Sequence, residues 1–168
     1  MDWSDVTRRV VIEAAAPHPE DVVLVIGGDW GVVSGLAPRV RRVVVSTGEE
    51  RPVLRENVEV VAPSSPIHVP TGTSVVVLHD SLRRMPKPAQ AALLDALGAA
   101  LPRRALLVLG DVFWSVPFSA VDEPEQYGDD IASAPTVAEL ERWLRSAGFL
   151  PDVHRFGVGR AVCVALRS

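Results

Sequence analysis

Residues Asp21 to Gly35 read Asp-Val-Val-Leu-Val-Ile-Gly-Gly-Asp-Trp-Gly-Val-Val-Ser-Gly, and this stretch constrains the fold most tightly. The run Val22 to Ile26 is apolar at every position. A strand with one wet face alternates in character. A strand that is apolar throughout is buried on both faces, as in a parallel sheet covered by helices. The run ends at Gly27 to Gly31, a turn with glycine at 27, 28 and 31. Glycine lets a backbone turn sharply and come close to a ligand. Open α/β sheets bind ligands outside the carboxyl ends of their strands, where the topology switches. A small-molecule site is therefore expected at this turn.

The rest of the chain repeats the strand–helix theme. Trp3, Val6, Val10 and Ala14 recur at spacings of three and four, which predicts an amphipathic first helix capped by Asp2 or Ser4 and ended by Pro17 and Pro19. After the glycine turn, Val32 to Leu36 reads as a short helix stopped by Pro38. Val43 to Ser46 is the second predicted strand, followed by a short helix around Glu49 to Glu56 and a third strand, Val58 to Ala62. Pro63 to Gly72 is a proline- and serine-rich loop, and Val75 to Leu78 is the fourth strand, leading to His79, Asp80 and Ser81. A helix over Pro88 to Leu101 sets Ala91, Leu94, Leu97 and Leu101 on one face, and Ala105 to Leu109 is the fifth strand. Phe113 to Pro135 has no regular pattern, and segments of that length are lids or disordered. Thr136 and Glu139 form a capping box for a helix to Ala147, with Gly148 as its left-handed terminator. Two strands, Pro151 to Phe156 and Ala161 to Leu166, come next as a hairpin around Gly157 to Gly159.

Composition narrows the function classes. The 168 residues carry a formal net charge of −4, against a protein built to hold nucleic-acid backbone. No apolar run has the length of a bilayer span, and the charged residues among Met1 to Ala16 do not form a secretory signal. A cytoplasmic protein without membrane partners is the expectation. The single cysteine, Cys163, lies in an apolar run and reads as a buried structural thiol. His18, His68 and His154 share no ligand spacing, so no metal site is expected. Homo- or hetero-oligomers are both open.

Five strand–helix units ending in a strand pair resemble class I S-adenosylmethionine-dependent methyltransferases over almost the whole chain. Val23 to Gly31 resembles that family's first motif, an apolar strand running into a G-x-G-x-G turn, with Gly27 and Gly31 as its outer glycines. Leu106 to Trp114 resembles the fifth strand and the segment after it, and Pro135 to Phe149 the penultimate helix and strand entry. The resemblance implies an α/β, Rossmann-like methyltransferase sheet in a single domain over 1–168. That sheet is seven-stranded and mostly parallel, with a C-terminal antiparallel hairpin and helices on both faces. It also implies S-adenosylmethionine as cofactor, with Gly27, Gly28, Asp29, Gly31 and Ser46 at its site, and a small-molecule acceptor.

Several family positions are altered. The acid that usually ends the first strand, near the methionine amino group, is Val25 here. Asp29 replaces the middle glycine, and Trp30 stands at a small-residue position. The acid that usually ends strand two, on the ribose hydroxyls, is replaced by Ser46 and Thr47, with Glu49 and Glu50 the nearest acids; after strand three stand Pro63 and Ser64. A hydrogen bond to a charged acceptor contributes roughly 1.5–3 kcal/mol, so three losses would weaken binding by powers of ten. Asp29 is either a replacement cofactor ligand or a turn residue.

An oxygen or nitrogen methyl acceptor needs a base within hydrogen-bond reach. The carboxyl ends of strands four and five offer His79, Asp80 and Asp111, the candidate catalytic residues, with Trp114, Phe118 and Tyr127 as candidate pocket walls. Three functions stay open. The first is a small-molecule methyltransferase. The second is a non-catalytic methyltransferase-like binding or scaffolding protein that has lost cofactor affinity. The third is an α/β domain holding a different nucleotide at the glycine turn.

Overall fold

The computed structural model describes residues 2–50, 52, 55–113, 133–156 and 159–168. Helix α1 (Trp3–Ala14) precedes β1 (Val22–Ile26), α2 (Trp30–Leu36) and β2 (Arg42–Ser46). Then come β3 (Val58–Val61), β4 (Thr73–His79), α3 (Lys87–Ala100), β5 (Leu106–Val112), α4 (Val137–Ser146), β6 (Phe149–Arg155) and β7 (Arg160–Arg167). The seven strands form one sheet in the order β3-β2-β1-β4-β5-β7-β6. All pairs from β3 through β5 are parallel, and β7 is antiparallel to both β5 and β6. The expected hairpin is present, with its second strand slotted between β5 and the first, so β6 forms the sheet edge. The chain steps outward from β1 to β2 and β3, then returns to β4 on the other side of β1. The topological switch thus lies at the carboxyl ends of β1 and β4, beside the glycine turn.

Burial explains the unbroken apolar strands. All five residues of β1 are buried. Leu24, Val76, Leu78, Leu107 and Leu109 face Leu94 and Leu97 of α3 and Leu140 and Leu144 of α4. Val23, Val25, Val43, Val45, Val75 and Val77 face Val11 and Ile12 of α1 and Val32, Val33 and Leu36 of α2. Each such side chain contributes roughly 1.5–3 kcal/mol on burial. Cys163 is in the first cluster, and burial pushes its thiol up to about 12, so it is protonated at neutral pH. No helix among the described residues is long and apolar enough to cross a membrane.

Local signals hold where side chain and backbone cooperate. Asp2 caps α1 by accepting from the Ser4 and Asp5 amides, Thr136 and Glu139 complete their capping box, and Gly148 takes φ +82°. Strand lengths differ from the sequence reading. β4 runs on to His79 and β5 to Val112, because their ladders continue to His79–Gly110 and Val112–Arg160. Likewise β6 begins at Phe149, where it pairs with Arg167. The helix expected around Glu49 to Glu56 is absent among its described residues. There the Glu49 amide donates to the Thr47 hydroxyl at 3.1 Å, a local bond that competes with helix formation. Most of the irregular Phe113 to Pro135 segment, with Trp114, Phe118 and Tyr127, lies outside the described residues.

The α3–α4 contact is close. A Cβ at Gly98 of α3 would overlap the Ala147 carbonyl at the end of α4, while Arg167 donates to the Gly98 carbonyl at 2.8 Å. Alanine is the better helix former by about 1 kcal/mol. Overpacking costs about 1–3 kcal/mol and dominates here. Gly98→Ala is expected to lower the urea midpoint; a rise would show that the helices do not meet at this point.

Candidate functional site

Two cavities open side by side at the carboxyl ends of β1, β2 and β4. The larger, about 670 Å³ and mainly apolar, lies among Gly27, Ser46, Pro63, Ile67, Met85 and Leu93. The smaller, about 410 Å³ and mainly polar, lies among Ser4, Arg8, Asp29, Trp30, His79 and Asp80. Gly28, Glu49, Ser81 and Arg84 line both. The glycine turn is the shared floor. Gly27 has φ +100°, a conformation that favours glycine, and its amide donates to the Ser46 carbonyl of β2 at 3.0 Å. A Cβ on Gly28 would overlap the Glu49 carboxylate, and one on Gly31 would press on the Arg8 side chain.

Of the residues singled out from sequence, Gly27, Gly28 and Ser46 line the apolar cavity. Gly28, Asp29, Gly31, His79 and Asp80 line the polar one. Asp111 lies behind it, fully buried at the end of β5. Asp29 is the N-cap of α2, accepting from the Gly31 and Val32 amides at 2.9 and 3.1 Å. Its carboxylate also accepts from Arg8 Nε at 3.0 and 3.1 Å and pairs with His79 Nδ1 at 2.5 Å. Asp80, at φ +49°, accepts from the Ser4 hydroxyl at 2.6 Å, Arg83 Nη1 at 2.6 Å and Arg160 Nη1 at 2.8 Å. Asp111 accepts from the Leu82 and Arg83 amides and from Arg83 Nη1 at 2.5 Å. Both acids therefore have their oxygens taken up in holding the turn after β4. His79 Nε2 is different. It is buried and has no hydrogen-bond partner among the described residues.

Three site residues are not singled out by the sequence. Glu49 stands there only as an acid near the end of strand two; the β2 turn brings its carboxylate against Gly28. Arg8 sits on the first helix, and nothing local to it signals a site 21 residues downstream. Ser81 donates to the Ile26 and His79 carbonyls and so pins the β4 turn onto the end of β1. Val25 is buried within β1 and offers no acceptor. Among the described residues, no cluster of His, Cys, Asp and Glu has the makeup of a metal site.

No protein-family model matches the sequence, and no curated protein does. Solved structures do. Human N-acetylserotonin methyltransferase in complex with SAM superposes with a TM-score of 0.76 at 12% identity, over 97% of this chain and 52% of that one. The pyocyanin biosynthetic protein PhzM gives 0.77 at 17% identity, over 98% and 55%. This chain thus spans about half the length of those two proteins. A SAM-bound amino pentose methyltransferase from Micromonospora echinaspora gives 0.69 at 16% identity, over 100% of this chain and 92% of that one.

The electrostatics of the polar cavity centre on Asp29. Burial alone would raise its carboxyl. The hydrogen bonds from His79, the Val32 amide and Arg8 outweigh burial and hold it at about 2, below the ordinary 3.8. Asp80 is held well below the usual carboxylate range despite its burial, by His79, Arg160, Ser4 and Arg83. A carboxyl depressed by folding stabilises the fold above its unfolded value and loses that stability as pH falls through its folded value. For Asp29 the difference corresponds to about 2 kcal/mol. As pH falls from 5 towards 2, the wild-type chain is expected to lose about that much more stability than Asp29→Asn, read from urea unfolding at each pH. Parallel curves for the two proteins would remove Asp29 from this account. With its glycine turn at the switch point of a seven-stranded sheet, the chain has the Rossmann-like fold of class I S-adenosylmethionine-dependent methyltransferases.

Proposed function

We propose that this chain is an S-adenosylmethionine-dependent methyltransferase acting on a small molecule. The observation that carries this reading is the pair of adjoining cavities on the glycine turn, one apolar and one polar, at the topological switch of a methyltransferase fold. The site fits an adenosyl ligand in shape and chemistry. Gly27 and Gly28 let a ligand approach the backbone closely. The apolar cavity offers Ile67, Met85 and Leu93 to a flat base. Glu49 lines both cavities and can accept hydrogen bonds from ribose hydroxyls, the role usually held by an acid nearer the end of β2.

S-adenosylmethionine, held against Gly27, Gly28 and Glu49, would supply the electrophilic sulfonium methyl group for the acceptor. The chain's own part is alignment and proton removal. His79 lines the polar cavity with Nε2 unpartnered among the described residues, so this atom takes the proton that an O–H or N–H acceptor gives up. Asp80 and Asp111 act behind it, fixing the turn after β4 through Arg83 and Arg160. Ser46 borders the ribose end beside Thr47.

Titration calorimetry with S-adenosylmethionine and S-adenosylhomocysteine tests the reading. Saturable binding is expected for the wild-type chain, weakened about tenfold or more in Glu49→Gln, the loss of a charged hydrogen-bond acceptor. No detectable binding to a folded wild-type chain would overturn the proposal in favour of a non-catalytic protein of the same fold.

A further inference from the structure

The polar cavity contains one arrangement that neither helix capping nor cofactor binding explains. Capping α2 requires a single acceptor, and Asp29 Oδ1 supplies it, taking both the Gly31 and Val32 amides. A serine or threonine would cap comparably. The second oxygen, Oδ2, points away from the cap to His79 Nδ1 at 2.5 Å, with the His79 side chain fully buried and that of Asp29 only 15% exposed. Among the described residues the other partners of this carboxylate are donors: two backbone amides and Arg8. An ionised carboxylate only accepts, so His79 must present a proton at Nδ1.

The other nitrogen follows from the first. With the proton on Nδ1, neutral His79 carries a lone pair on Nε2. Asp80 Oδ2 stands 3.9 Å from Nε2, beyond hydrogen-bond reach and already accepting from Ser4. Gly110 of β5 packs against the ring's Cδ2 edge, where a Cβ would sit 3.2 Å away, so the ring is held in place. A buried acceptor without a donor costs about 1–3 kcal/mol.

We propose that Asp29 is a positioning residue that fixes His79, at the wall of the polar cavity, in the Nδ1–H tautomer and so leaves Nε2 as the unprotonated nitrogen. Arg8 serves the same end, anchoring the Asp29 carboxylate from α1. The glycine turn then does two things at once. It floors the ligand cleft, and through the residue that replaces its middle glycine it sets the tautomer of the histidine at the end of β4. This rests on the reading of the polar cavity as the acceptor side of the cleft.

Long-range proton–nitrogen NMR of ¹⁵N-histidine-labelled protein, at a pH where His79 is neutral, tests the proposal without cofactor or acceptor. Loss of a signal in His79→Gln assigns the residue. The wild-type chain is expected to show His79 as the Nδ1–H tautomer alone. Asp29→Ser, which keeps a capping oxygen but cannot reach His79 as a carboxylate does, is expected to show the Nε2–H form. Loss of helix capping alone would shift the thermal midpoint and leave the tautomer unchanged. An Nε2–H signal in the wild-type chain would overturn the proposal whatever the variant does, as would an unchanged Nδ1–H tautomer in Asp29→Ser. Should Asp29→Ser fail to fold, Arg8→Gln reads the same tautomer with Asp29 in place but unanchored, and an unchanged tautomer there would remove Arg8 from the proposal while the wild-type spectrum decides the role of Asp29. Because the readout involves no cofactor, its failure is separate from failure to bind S-adenosylhomocysteine.

Discussion

The carboxylate of Asp29 is the point at which three elements meet. It caps the N-terminus of α2, receives Arg8 from α1 and receives His79 from the end of β4. Taking a charge out of water is expensive, and the expense is tolerated only where donors fill its lone pairs. Here they do, and burial is outweighed, so the carboxylate stays ionised. The consequence is geometric. Because one small group satisfies three elements, the glycine turn, the first helix and the fourth strand cannot shift independently, and the wall of the polar cavity is fixed.

A second buried network works beside it. Asp80 gathers Ser4, Arg83 and Arg160, while Asp111 gathers Arg83 and the amides of the turn after β4. Each of these arginines answers a carboxylate, so neither charge is left without a counterpart. Much of the polar capacity of this region is thus spent on structure. Among the described residues around this turn, His79 Nε2 is a buried nitrogen without a hydrogen-bond partner, and this is why the proposed proton-removing role falls to it rather than to the neighbouring acids.

How much of this the chain announces in advance differs between fold and site. The strands are legible because the middle of each central one, Val22 to Ile26, Val75 to Leu78 and Leu106 to Leu109, is an unbroken aliphatic run, and burial on two faces demands that pattern whatever the surroundings. The capping box at Thr136 and the terminator at Gly148 are legible because a side chain and a few neighbouring amides complete them locally. Among its described residues the short helix expected after β2 is absent, and there Glu49 bonds to Thr47, a choice that propensity does not weigh. The positions of Gly27, Gly28 and Asp29 at the cleft are legible from the turn itself. Asp29's partners are not, because Arg8 and His79 lie 21 and 50 residues away.

A helix-covered parallel sheet, its C-terminal strand pair, and a glycine turn where a ligand can approach the backbone are all written in the order of residues. These rest on periodicity, turn chemistry and caps, which act over a few residues. That Glu49 reaches over Gly28, that Asp111 serves the turn after β4, and that Asp29 spends its second oxygen on His79 emerge only in the folded chain. Those outcomes depend on how strands from distant parts of the chain are set side by side, and on which buried charge finds which donor. Hydrogen-bond satisfaction in a buried site is settled by three-dimensional neighbours, and the order of residues along the chain does not contain it in readable form.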